Sequence, residues 1–84
     1  MNRADVQARL RDYILKDLMR NPSYPLAENE ALITGGLLDS LDMARLAVFV
    51  EAEFGVYLPD SDLTVAVMDT LGQMADQIIE RAAP

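Results

Sequence analysis

The chain has 84 residues, is 51% hydrophobic, carries a formal charge of −7, and contains neither cysteine nor histidine. That length fits one domain spanning residues 1–84, which would bury about 60–65% of its unfolded surface. The missing residue types exclude a disulfide framework, the commonest transition-metal ligands and a serine-hydrolase triad of the usual form, and the acidity argues against a nucleic-acid partner.

In chain order, Val6, Leu10, Tyr13, Ile14 and Leu18 recur at helical spacing and predict a first helix over about 3–19, ended by Asn21-Pro22. Residues 21–39 read as a long loop, rich in turn-forming types, with room for a short helical turn near Glu28–Leu32. Its apolar members Leu26, Leu32, Ile33, Leu37 and Leu38 are expected to pin it to the core. A second helix is predicted over Ser40–Phe54, with Met43, Leu46, Ala47, Val50 and Phe54 as the buried stripe. The opposite stripe, Leu41, Arg45, Val48 and Ala52, is apolar apart from the arginine. Phe49 falls between the two faces.

Gly55 suits a left-handed helix stop, and Val56–Pro59 reads as an extended link without a strand partner. A short third helix is expected around Val65–Met68. The last helix runs from about Thr70 to Arg81 on Leu71, Met74, Ala75, Ile78 and Ile79, with Asp69 or Thr70 as its cap. The expectation is all-α: an antiparallel four-helix bundle with a long first loop and a short third helix.

The charge is unevenly placed. Residues 1–20 hold five of the seven basic residues and sum to +2, whereas residues 21–84 sum to −9. An acidic body favours partners with basic patches, met by electrostatic steering, or simply solubility. No apolar run approaches the ~20 residues of a membrane span, and the first residues lack the apolar core of a secretory signal. The chain is therefore expected to be cytoplasmic and monomeric, with no membrane partner.

Asp60-x-Asp62-x-Thr64 resembles the start of a calcium loop, but Val65 and Leu71 stand where glycine and glutamate are needed. Gly35-Gly36 lacks the spacing and the Lys-Ser/Thr pair of a phosphate loop. Asp39 with Asp42 reads as solvated surface rather than a metal site, so no metal is expected.

The densest stretch is Gly35-Gly36-Leu37-Leu38-Asp39-Ser40-Leu41-Asp42. It places Ser40 where a loop becomes a helix, beside the free N–H groups of the first turn, where the helix dipole would favour an anion. Serine is also a preferred N-cap, so a purely structural reading of Ser40 exists.

The run Gly36-Leu37-Leu38-Asp39-Ser40-Leu41-Asp42, continuing through Leu46 to Glu51-Ala52-Glu53-Phe54-Gly55, resembles the acyl carrier protein family. The overall pattern is similar from about Val6 to Ile79. This resemblance implies a covalent 4'-phosphopantetheine arm on Ser40 and a carrier that is not an enzyme but a substrate of a phosphopantetheinyl transferase. It implies partner recognition by Asp39, Leu41, Asp42, Arg45 and Val48, since the second helix is the family's main recognition helix.

Further partners would be an acyl- or aminoacyl-loading ligase or an acyltransferase, and ketosynthase or condensation-type enzymes. Met43, Leu46, Val50 and Met68 are candidates for lining an acyl cavity, with ordinary core packing as the alternative. Arg45 departs from the acidic recognition face of fatty-acid-synthesis carriers. That departure, with Phe54-Gly55, Asp62-Leu63 and Asp69-Thr70-Leu71, looks more like free-standing carriers of polyketide or nonribosomal peptide pathways. The alternatives are a peptidyl or aminoacyl carrier with the same arm, and an unmodified helical interaction module docking through Leu41 and Val48.

Overall fold

The computed structural model describes residues 1–82; Ala83 and Pro84 of the predicted domain lie outside the described residues. The helices are α1 (Arg3–Tyr13), α2 (Ser40–Phe54), α3 (Val65–Met68) and α4 (Leu71–Ala82). No strand forms among the described residues, and none of their helices is long and apolar enough to cross a membrane. The all-helical class expected from the periodicity is therefore the one observed.

Asn2 caps α1 by accepting the Asp5 N–H at 2.7 Å. Beyond Tyr13 the helix does not continue regularly to Met19. It widens into a π-helical turn over Ile14–Leu18, in which the Met19 N–H reaches the Ile14 carbonyl at 2.8 Å. The stop also differs from the one expected at Asn21-Pro22. Arg20 adopts a left-handed conformation (φ 54°), and the Asn21 N–H returns to the Leu15 carbonyl at 2.7 Å. The chain has already left the helix when it reaches Pro22.

The long loop folds as turns, with no helical turn over 28–32. Leu26, Leu32 and Leu38 are buried and Ile33 and Leu37 pack against the core, so the loop is pinned where its apolar residues fall. α2 has the predicted boundaries. Gly55 ends it at φ 69°, with its N–H on the Glu51 carbonyl at 2.9 Å, a conformation glycine adopts without a Cβ clash. In the extended link, Val56 and Leu58 are buried while Tyr57 between them is exposed. A 3-10 turn at Asp60–Asp62 leads to α3. Thr70 caps α4, its hydroxyl accepting the Gln73 N–H at 3.1 Å.

Val6 and Leu10 of α1, Ile14 of the π-helical turn, Leu46 and Val50 of α2, and Leu71, Met74 and Ile78 of α4 are fully buried together. No polar side chain is buried among the described residues, so the core carries no desolvation penalty to offset. α1 packs most extensively on α4. Against α2, Arg9 pairs with Glu53 at 2.9 Å and the Tyr13 ring stacks on Phe49 at 4.1 Å, so advancing along α1 means going back along α2. Those two helices run in opposite senses. The stack also explains Phe49, which points sideways at α1. The radius of gyration is 11.5 Å, close to the ~12 Å of a folded domain of this length.

Truncating Ile78→Ala should cost about 2–5 kcal/mol, because its fully buried side chain leaves a cavity. Arg20→Gly should stabilise by about 0.5–1 kcal/mol, relieving the left-handed strain less the entropy glycine loses on folding. Urea unfolding of the two variants beside the parent chain checks both signs.

Candidate functional site

The start of α2 is built around two carboxylates. Asp39 is the N-cap; its Oδ1 accepts the Asp42 N–H at 2.8 Å, and the Asp42 Oδ2 accepts the Asp39 N–H at 3.1 Å. This reciprocal pair is a capping box with aspartate in both places. Ser40 is consequently not the cap. It is the first helical residue, its side chain is exposed, and its hydroxyl has no hydrogen-bond partner among the described residues. The structural reading of Ser40 as a cap is thus replaced by one in which Asp39 does that work.

The electrostatics differ from expectation too. The Asp42 N–H is taken by Asp39, and the Met43 N–H is taken by the Asp39 carbonyl at 3.0 Å. A group on Ser40 therefore meets two carboxylates at the helix end, whose charge opposes the attraction that the helix dipole offers an anion. The Asp42 N–H, above all, holds the Asp39 carboxyl below its ordinary range, with help from the Leu41 N–H and the nearby Arg45 charge. Among the described residues, no three acidic side chains gather as a metal site.

Beside Ser40 lies an open cleft of about 600 Å³. Ile33 and Leu38 of the loop, Met43 and Ala44 of α2, and Leu63 form its apolar wall, while Asp39, Ser40 and Asp60 make its polar edge. Of the four residues considered for a cavity lining, only Met43 faces this cleft. Leu46 and Val50 are fully buried and Met68 nearly so; all three belong to the core cluster, as does Met43 itself. The arrangement can shelter an apolar group attached at Ser40 without opening the core.

The outward stripe of α2 starts next to Ser40. Leu41 is 60% exposed and Val48 is 71% exposed, values high for large apolar side chains. Arg45 and Ala52 lie on the same side, and Arg45 makes no ion pair among the described residues. Tyr13, Phe49, Val48, Ala52 and Arg45 surround a shallow apolar groove of about 340 Å³ between α1 and α2. The structure thus brings Asp39, Leu41, Asp42, Arg45 and Val48 to one helix with Ser40.

Sequence reasoning placed Asp69 only as a candidate cap. With Thr70 capping α4, the Asp69 carboxylate instead reaches the long loop, accepting the Ile33 N–H at 2.7 Å, the Thr34 N–H at 3.0 Å and the Thr34 hydroxyl at 2.7 Å. The Thr70-x-x-Gln73 capping pattern is the signal that frees Asp69 for another role.

No protein-family model matches this chain, and no curated protein matches it.

Asp69 is held below the ordinary carboxylate range first by the Thr34 hydroxyl and then by the Thr34 and Ile33 amides; Asp39 is lowered as described. A carboxyl with a depressed folded-state pKa stabilises the fold above its unfolded pKa of ~4, and that contribution disappears as pH falls through the folded value. Unfolding midpoints in urea should therefore stay level from pH 7 to 5 and decline below pH ~4. The decline should be shallower in Asp69→Asn, which lacks one of the lowered carboxyls, the others being Asp39 and the Gln7- and Arg3-bonded Glu28.

Proposed function

We propose that this chain is an acyl carrier protein whose Ser40 bears a 4'-phosphopantetheine arm. The observation that carries the reading is the start of α2. A serine there is exposed, unbonded and relieved of capping by its neighbour, and a cleft with an apolar wall and a polar edge opens beside it. The sequence resemblance around Asp39-Ser40-Leu41 supports the same residue. On this reading the four helices form the antiparallel bundle of that family, in a cytoplasmic, monomeric chain.

The residues present fit the arm. A phosphopantetheinyl transferase would join the Ser40 oxygen to the phosphate of the pantetheine portion of coenzyme A, with release of adenosine 3',5'-bisphosphate. When bound, the arm supplies a terminal thiol that holds a cargo as a thioester, which this cysteine-free chain cannot do with its own side chains. Asp39 and Asp42 fix the first turn of α2 and so aim the Ser40 oxygen outward. Leu41, Arg45 and Val48 offer partner enzymes an apolar face with one positive charge. The chain carries and presents; tethering raises the local concentration of cargo at a docked enzyme.

Arg45 on that face supports secondary-metabolite assembly over fatty acid synthesis; we read the cargo as acyl, in polyketide or related biosynthesis, with a peptidyl or aminoacyl carrier bearing the same arm as the alternative. Loading would fall to a ligase or acyltransferase, and unloading to a ketosynthase or condensation-type enzyme.

Incubation with coenzyme A, magnesium and a promiscuous phosphopantetheinyl transferase, read by intact mass, should add one phosphopantetheine to the parent chain and none to Ser40→Ala. No gain on folded parent protein, beside a carrier that is modified in the same assay, would overturn the carrier reading and leave α2 as the face of an unmodified interaction module. Arg45→Glu should take up the arm normally yet change the rate of loading or unloading by its partner enzymes. Unchanged rates with every partner would remove Arg45 from the recognition face.

A further inference from the structure

Four hydrogen bonds from one short piece of the long loop converge on Asp69. The Leu32 N–H donates to the Asp69 carbonyl at 2.7 Å, and the Ile33 and Thr34 N–H groups donate to Oδ1 at 2.7 and 3.0 Å. The Thr34 hydroxyl donates to Oδ2 at 2.7 Å. Asp69 is itself held to α4, because Gln73 Oε1 accepts its N–H at 2.9 Å and that of Thr70 at 3.1 Å. One carboxylate thus links the first turn of a helix to a loop that has no helix of its own.

That loop is also a wall of the cleft beside Ser40. Ile33 lines the cleft, and so does Leu38, whose N–H donates to the Leu32 carbonyl at 2.9 Å. Asp69 does not line it. The Ile33 and Thr34 N–H groups have no other acceptor among the described residues. Bonds to an ionised acceptor are the stronger kind, so removing the charge loosens all three side-chain contacts together.

We propose that Asp69 is a positioning residue for the Ser40 site: by clamping Leu32–Thr34 it holds the Ile33 wall in place and sets how bulky an apolar group can lie beside Ser40. This rests on the reading of Ser40 as the attachment point, but the cleft is tested without any transferase. Released from Asp69, the wall moves outward and bulky groups gain access more than small ones.

The chain has no cysteine, so Ser40→Cys places a single thiol at the edge of the cleft. The measurement is its reaction rate with N-pyrenylmaleimide relative to N-ethylmaleimide. The ratio cancels effects on the thiol's own reactivity. It is taken in Ser40→Cys alone and combined with Asp69→Asn, Thr34→Val or Val6→Ala. Val6 is a fully buried α1 residue that makes none of the clamp hydrogen bonds, so its truncation controls for general loosening. Asp69→Asn should raise the ratio roughly threefold, the effect of losing about one net hydrogen bond from the closed wall. Thr34→Val, which removes only the hydroxyl contact, should raise it less. Val6→Ala should leave it unchanged, and hydrogen exchange at the Ile33 and Thr34 amides should quicken selectively in Asp69→Asn. An unchanged ratio in folded Asp69→Asn, or an equal rise in Val6→Ala, overturns the proposal. If circular dichroism shows Asp69→Asn unfolded, Thr34→Val decides by the same comparison. A failure of the transferase to modify Ser40 would contradict the carrier reading alone, since this ratio does not involve it.

Discussion

Asp39 and Asp42 each hold the other's backbone N–H, and the rest of the Ser40 site depends on that exchange. A helix start must satisfy its first N–H groups, and a serine beside the cap would ordinarily be drawn into the task. Here two carboxylates share the capping between them. The residue in the middle is left helical, exposed and chemically idle. The same pair gives the site its sign, since anything fixed to Ser40 sits against negative charge. That charge favours an extended, solvated attachment over one folded back onto the helix end.

The surroundings keep that geometry rigid on one side and open on the other. Beneath α2, Leu46 and Val50 lock into the fully apolar core with α1 and α4. Above it, Leu41 and Val48 face solvent at the cost of exposed apolar surface, which a docked partner would recover. Beside it, the cleft wall comes from a long loop, held by buried leucines on its inner face and by Asp69 from the start of α4.

The helical framework was legible in the sequence because it rests on local periodicity. The limits of α2, the glycine stop at Gly55, the α3 turn and the pinned leucines of the loop all follow from spacing and turn chemistry. Features set by competition or by distance were not legible. Asp39 and Ser40 are adjacent and both good caps, so only the backbone decides between them. Arg20 takes a left-handed conformation that its residue type does not advertise, because the π-helical turn over Ile14–Leu18 has already shifted the hydrogen-bond register. Phe49 sits at the edge of its helix pattern because its partner is Tyr13, far away in the chain. Leu46 and Val50 share a helical spacing with Met43, but periodicity alone does not show which buried residue also borders a cleft. Asp69 looked like a cap because its loop partners lie about half the chain away.

The central claim is that Ser40 has no structural duty and that Asp39 has taken it over. The most direct test is a pair of thermal unfolding curves, for Ser40→Ala and for Asp39→Ala, against the parent chain at neutral pH. Ser40→Ala should unfold close to the parent temperature, since the serine hydroxyl caps nothing. Asp39→Ala should unfold several degrees lower through loss of the cap. A Ser40→Ala curve displaced downward as far as that of Asp39→Ala would show that the serine holds the helix, and would contradict the account.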